Sequence, residues 1–133
     1  MNDELITTNN KKNTFRFLEW KVYRDAQKLL KEIISLVRKL PPDIRYTLGN
    51  QILKSALSIV LNIAEGSGRF TDKELSRFFD IALGSVNETV AGLDSLRLID
   101  IITQEQFDYL FKGLESISRQ LGGFKKQIRN KGL

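Results

Sequence analysis

The sequence contains no cysteine and no histidine. Without thiols the chain can form neither disulfides nor thiolate metal sites, so we expect a protein of a reducing, cytoplasmic compartment. Without imidazole it lacks the commonest general base and the commonest transition-metal ligand, and it cannot form a Ser-His or Cys-His catalytic pair. We therefore predict a protein with no enzyme activity, no cofactor and no metal.

Long apolar runs are missing as well. No stretch approaches the roughly 18 residues that a membrane span requires, and the polar N-terminus has no signal-peptide core, so we expect no membrane association. A chain of 133 residues is long enough for one domain that buries about two-thirds of its unfolded surface. We predict a flexible N-terminal arm at residues 1–14 and a single domain at residues 15–130.

Apolar residues recur at steps of three and four along nearly the whole chain, which predicts four helices. The first covers about residues 17–39, and the only two prolines, Pro41 and Pro42, end it. The second covers about residues 43–65, with a weak point at Gly49. Thr71 and Thr103 open capping boxes for the third, which reaches about residue 98, and for the fourth. Short connections favour an all-α, antiparallel up-down-up-down four-helix bundle.

The second predicted helix is apolar on most sides. From Ile52 to Ala64, nine of thirteen residues are apolar and Lys54 carries the only charge. Such a helix must be covered on most sides, either by a wide core face within the bundle or by another copy of the chain. Because of this excess we predict a homo-oligomer. The residues expected at its interface are Leu53, Leu57, Val60 and Leu61.

A polar stripe follows the remaining face of this helix. Folding the third helix back against it is expected to set Ser55 near Ala82, with the small residues letting the backbones approach. Buried polar groups need partners, so we expect Gln51, Asn62 and Glu88 to form hydrogen bonds in this seam. The carboxylates also invite a metal or catalytic reading, but di-iron bundles use Glu-x-x-His motifs. We interpret the set as structural: Gln51, Asn62, Glu65, Gly66, Arg69, Glu74, Ser85 and Glu88.

Basic residues form stripes on the first and last helices of this chain, whose net charge is +5. Neighbouring positions in an up-down bundle should bring the two stripes together. They could be a solvated face that favours the helix dipole, a docking face for an acidic protein such as a polymerase or reverse transcriptase, or a nucleic-acid site. We favour the last, with RNA or DNA phosphates as ligand and little sequence preference. The candidate residues are Lys21, Arg24, Lys28, Lys31, Arg38, Lys112, Arg119, Lys125, Lys126 and Arg129.

Residues 58–69 read Ser-Ile-Val-Leu-Asn-Ile-Ala-Glu-Gly-Ser-Gly-Arg. This block resembles the signature of the four helix bundle protein family, whose members are encoded in intervening sequences of bacterial ribosomal RNA genes. Val60 stands where many members have proline, and Thr47 where many have glycine. The similarity extends over about residues 15–130, and its other positions are Leu18, Glu19, Trp20, Leu48, Gln51, Glu74, Phe78, Ala82, Gly84, Ser85 and Glu88.

The resemblance implies a bundle that assembles into a five-membered ring, hence a homopentamer. Relatives of that family include the accessory protein of diversity-generating retroelements, a basic pentamer that binds nucleic acid and a reverse transcriptase. The shared motif residues look structural, so the resemblance supports the fold and the ring more than a particular function.

Overall fold

The computed structural model describes residues 14–131, and within that range the chain forms helices and no strand. A short 3₁₀ helix, Arg16–Glu19, precedes four long helices: α1 (Lys21–Arg38), α2 (Asn50–Ser67), α3 (Asp72–Leu98) and α4 (Gln104–Lys131). The predicted all-α four-helix architecture is confirmed. Apart from Thr14, the arm predicted at residues 1–14 lies outside the described residues.

The first long helix begins four residues later than predicted, at Lys21. Trp20 has an extended backbone, with ψ 130°, which separates α1 from the preceding 3₁₀ helix. The Trp20 ring lies 5.0 Å from the ring of Phe124 and 6.2 Å from that of Phe79, measured between centroids. The extended backbone of Trp20 thus allows its indole to contact α3 and α4. These contacts were not expected from a single uninterrupted helix beginning at Phe17.

The second helix starts through an irregular segment. Pro41 is extended, Pro42–Ile44 form one α-helical turn, and Arg45–Gly49 form a π-helical turn before α2 begins. Gly49 is buried, and a Cβ there would lie 3.0 Å from Cγ1 of Val37. The weak point predicted at Gly49 is therefore the last residue of a π-turn that packs closely on the end of α1.

Threonine caps fix the starts of α3 and α4. Thr71 Oγ1 accepts a hydrogen bond of 3.2 Å from the Glu74 amide, and α3 begins at the next residue, Asp72. At α4 the box is reciprocal: Thr103 Oγ1 accepts from the Gln106 amide at 3.1 Å, and Gln106 Oε1 accepts from the Thr103 amide at 2.8 Å. The capping box at Thr103 is confirmed, and at Thr71 the N-cap hydrogen bond is present without the return bond from Glu74.

The helices surround one apolar core in chain order. Each long helix packs on the next, α4 closes against α1, and the contact between α2 and α3 is the most extensive. This arrangement confirms the predicted up-down-up-down order. The largest side chains that are fully buried come from all four helices: Ile33, Ile52, Ile59, Ile63, Phe79, Leu93, Leu96, Leu114, Ile117 and Leu121.

Candidate nucleic-acid interface

The outer face of α1 carries the basic stripe that the sequence predicted. Val22, Ala26, Leu29, Ile33 and Val37 are buried on the inner side of α1, so the opposite side faces solvent. At ~1.5 Å per residue the stripe extends over about 25 Å. We call it the α1 basic face; all five of its side chains belong to exposed residues: Lys21, Arg24, Lys28, Lys31 and Arg38.

Asp25 borders this face on the side of α4. Its Oδ2 accepts hydrogen bonds from Lys21 Nζ at 2.6 Å and from Gln120 Nε2 at 2.8 Å. Partial burial tends to raise the pKa of Asp25, but these two bonds and the charges of Lys21 and Lys28 outweigh it and hold the pKa below its usual value. Asp25 is thus ionised at neutral pH and offsets part of the charge of Lys21.

The groove between α1 and α4 has mixed charge. Asp25, Lys28, Glu32 and Tyr109 line it, so two carboxylates stand between the basic stripes of the two helices. The expectation that the cations of α1 and α4 would merge into one patch is wrong at this seam. The basic stripes of α1 and α4 are separated here by Asp25 and Glu32, which lie beside the basic stripe on the surface of α1.

The bases of α4 are divided between two surfaces. Lys125 forms an ion pair with Asp80 of α3. Lys125, Lys126 and Arg129 line a groove between α3 and α4, not the α1 side on which they were expected. Phe124 packs on the core between Trp20 and Phe79, with ring centroids 5.0 and 5.3 Å away, and the bases that follow it lie on the flank of α4 that faces α3. Arg119 also lines a groove with α3, and Lys112 is exposed.

Hydroxyl groups join α2 to α3. Ser55 Oγ and Thr89 Oγ1 share a hydrogen bond of 2.7 Å, and Ser85 Oγ donates to Ser58 Oγ at 2.7 Å. The predicted close approach through small residues is present, but the predicted register is wrong, since Ser55 faces Thr89 and not Ala82. That difference is about two helical turns.

The register has a steric cause at the hairpin connection. A Cβ on Gly66 would lie 3.0 Å from Cβ of Phe78, so the end of α2 packs on the second turn of α3. The first turn of α3 therefore projects beyond α2. The sequence prediction paired the helices directly from their connection, which matched each residue of α2 with a residue about two turns too early in α3.

Most of the predicted polar motif lies outside the seam. Gln51, Glu65, Glu74 and Glu88 are exposed, so the expectation of hydrogen bonds from Gln51 and Glu88 inside the seam is wrong. Asn62 does join the seam: its Nδ2 donates to the Ser58 carbonyl at 2.8 Å and to Ser58 Oγ at 3.0 Å, the hydroxyl that also accepts from Ser85. The bonds between the two helices themselves come from shorter hydroxyl side chains, because the helices lie too close for longer ones.

Glu65 forms an ion pair with Arg69 in the next turn of the chain. The Arg69 guanidinium lies 4.6 Å from the centre of the Phe78 ring. Among residues 14–131, no group of three or more Asp and Glu side chains is placed so that it could hold a metal ion. The exposed carboxylates Glu65, Glu74 and Glu88 are therefore spread along α2 and α3 and do not form a cluster.

The apolar excess of α2 is only partly covered by the chain itself. Val60 is 4% exposed and belongs to the core, so its assignment to an oligomer interface is wrong. Leu53 is half-buried against that core. Leu57 and Leu61 are 43% and 55% exposed, and they form an apolar pair on the outer side of α2. The surface available to another copy is therefore narrower than the sequence suggested.

Two residues of the π-turn lie at the surface without having been predicted there. Tyr46 is 67% exposed, and the Arg45 guanidinium lies over its ring, 5.2 Å from the centre. The Arg45 Nε atom is buried and has no hydrogen-bond partner among the described residues. The available sequence signal for this surface is an Arg-Tyr pair that follows the two prolines after a gap of two residues.

None of the helices in the described part of the chain is both long and apolar enough to cross a membrane. A crystal structure from Bacteroides thetaiotaomicron, described as a protein of unknown function from the S23 ribosomal protein family, is similar to this chain. It shares 25% identity at a TM-score of 0.74, over 79% of this chain and 98% of that one. No protein of curated function matches.

A family model described as 23S rRNA-intervening sequence protein matches residues 19–123, which include all of α1, α2 and α3 and most of α4. The resemblance first noted in residues 58–69 therefore extends over most of the bundle. The chain belongs to the 23S rRNA-intervening sequence protein family.

Proposed function

We propose that this protein is a non-enzymatic nucleic-acid-binding bundle that acts as a homo-oligomer and holds RNA or DNA on the α1 basic face. The observation that carries the proposal is the exposure of all five bases of that face on one side of one helix. The inward positions of α1 are buried apolar residues, and Asp25 and Glu32 lie at the edge of the face toward α4, so the outermost row carries bases over about 25 Å.

The mechanism would be electrostatic. Lysine and arginine side chains neutralise backbone phosphates and release condensed counterions, which gives affinity without reading the bases. Lys112 of α4 is exposed and can add to this surface, whereas Lys125 is engaged by Asp80. We therefore assign the main contact to α1 and a secondary one to α4.

The test is binding of labelled RNA and DNA across a salt series. With about five phosphate contacts, log affinity against log salt on duplex DNA should have a slope near −4 to −5. Reversing Arg24, Lys28 and Lys31 to glutamate should remove most of the affinity and reduce the slope. Lys21 is left in place because its ammonium pairs with Asp25.

A matched control keeps the same change in net charge. Reversing the exposed Lys54, Lys73 and Arg77 to glutamate alters α2 and α3 but not the α1 basic face. We expect this variant to bind more tightly than the α1 variant at every salt concentration. Equal losses in the two variants, or a flat salt response of the unmodified protein, would exclude a binding site on α1.

Oligomerisation is supported by the exposed Leu57 and Leu61, and the resemblance described above implies five copies. A closed ring would repeat the α1 basic face on each copy and bind a long polyanion through several weak sites at once.

The same face also suits an acidic protein, such as a polymerase or reverse transcriptase, and this is the second candidate function. The observation favouring it is the ion pair of Lys21 with Asp25, in which a base of this face already holds a carboxylate. Recovery of one dominant protein with the tagged chain after nuclease treatment, lost in the α1 variant, would favour the adaptor function over nucleic-acid binding.

A further inference from the structure

The π-turn Arg45–Gly49 carries an exposed aromatic ring and packs on the end of α1. Gly49 packs against Val37, and Val37 directly precedes Arg38, the last base of the face. Tyr46 lies within the same turn as Gly49. The junction of α1 and α2 therefore carries Tyr46, the last base of the face, Arg38, and one further base, Arg45.

Most of the Tyr46 side chain is open to solvent. It is 67% exposed, although tyrosine normally covers much of its ring on the protein surface. The Arg45 guanidinium lies 5.2 Å from the ring centre, which is within the distance for a cation–π contact. Arginine on one side holds the ring while most of the remaining ring surface faces solvent.

The backbone explains why the ring stays open. A π-turn uses i→i+5 hydrogen bonds, so residues before it are rotated relative to those of the α-helix that follows. The Thr47 hydroxyl donates to the Asp43 carbonyl at 2.7 Å, which supports this geometry from the side. Single π-turns inside helices occur frequently at functional sites. The buried Arg45 Nε, which has no partner, leaves this side chain short of one hydrogen bond.

We propose that Tyr46 is a stacking platform for an unpaired nucleobase, with Arg38 and Arg45 contacting the adjoining phosphates. This inference rests on the proposed function and narrows its ligand to single-stranded nucleic acid. Bases stack on aromatic rings whatever their identity, whereas the bases of a duplex are already stacked on each other. The α1 basic face then follows the backbone away from the stacked base.

The experiment compares three ligands by fluorescence anisotropy or by competition: a labelled single-stranded RNA, a duplex RNA of equal length, and inorganic polyphosphate. Tyr46→Ala should weaken single-strand binding by about 5- to 150-fold, the range expected for loss of one stacked base. Its affinity for polyphosphate, which has no base, should stay unchanged. Tyr46→Phe keeps the ring and should bind the single strand within about twofold of the unmodified protein.

Tyr109→Ala is the matched control. Tyr109 is 59% exposed on α4 in a groove that Glu32, Lys39 and Glu105 also line, and we expect no stacking there because the two carboxylates repel a nucleic-acid backbone. A comparable single-strand loss in Tyr109→Ala, or an equal loss of polyphosphate binding in Tyr46→Ala, overturns the proposal. Circular dichroism and a thermal melt show whether both alanine variants keep the fold.

The outcomes separate the two proposals. If the unmodified protein binds none of the three ligands at low salt, nucleic-acid binding and the stacking platform both fail. If it binds them in a salt-dependent way and Tyr46→Ala binds the single strand as tightly as before, the platform alone is wrong. A preference for duplex over single strand would also contradict the platform while leaving the α1 basic face intact.

Discussion

Gly92 shows how closely α2 and α3 approach at a single residue. A Cβ at this position would lie 2.5 Å from Cγ1 of Ile52, a side chain that is only 2% exposed. Cγ1 is close to the Ile52 backbone and cannot move far without shifting the helix. Glycine is therefore required here by packing, although it is a poor helix former.

We expect Gly92→Ala to destabilise the protein by about 1–3 kcal/mol, because overpacking exceeds the gain in helix propensity. Gly84 on the same helix is the control: no atom lies within 4 Å of a Cβ built there. Gly84→Ala should stabilise by about 0.5–1 kcal/mol. Urea unfolding of both variants measures the two signs. A stabilising Gly92→Ala would contradict the close approach.

For single residues, the sequence predicted that small side chains join α2 to α3, but not which of these residues meet. Small residues on α2 and α3 indicated a close contact, and Ser55, Ala82 and Ser85 are indeed buried. Thr89 and Gly92 were missed because the register depends on how far α3 projects past Gly66. That distance follows from side-chain packing at Phe78 and is not encoded in helical periodicity.

Among the elements, α4 has the most complete cap. Thr103 and Gln106 each satisfy the other's amide, at 3.1 and 2.8 Å. We expect Thr103→Ala to lower the free energy of unfolding by about 1 kcal/mol, since two otherwise free amides depend on this pair. Thr103→Ser retains the hydroxyl and should cost much less. An unchanged thermal midpoint for Thr103→Ala would show that water replaces the cap without loss.

Helix boundaries could be predicted where side chains determine them. Both threonine caps and the two prolines gave correct element ends. The late start of α1 and the π-turn could not be predicted, because they arise from tertiary contacts of Trp20 and Gly49. Periodicity continues through both places, so only the packing of distant residues reveals them.

At the scale of the whole molecule, the proposed assembly depends on Leu57 and Leu61. Replacing both with glutamate should leave the bundle folded, since both side chains are substantially exposed. We expect the unmodified protein to exceed its chain mass of 15.3 kDa in light scattering, and the double variant to return to that mass. Large exposed apolar groups usually mark such contacts.

Leu98→Glu is a suitable control, because Leu98 is 64% exposed at the end of α3, away from α2's outer face. It should keep the assembly. A particle of 15.3 kDa from the unmodified protein would show that this apolar pair is simply solvated.

The charge pattern of the molecule could be predicted on α1 but not on α4. The apolar seam of α1 fixed which side faced solvent, so its bases were placed correctly. On α4 the apolar seam lies on the core as its spacing indicates, but periodicity does not say which flank of the seam faces α1 and which faces α3. The carboxylates of Asp25 and Glu32 then came to lie in the groove that was expected to be basic.

The hairpin of α2 and α3 also bears on the order in which the molecule folds. Four residues connect these helices, and the hydroxyl pair Ser58–Ser85 joins positions 27 apart in the chain. The contact between Asp25 and Gln120 joins positions 95 apart. Contacts between nearby residues cost less chain entropy and form sooner. We therefore expect the hairpin to form before α4 closes on α1.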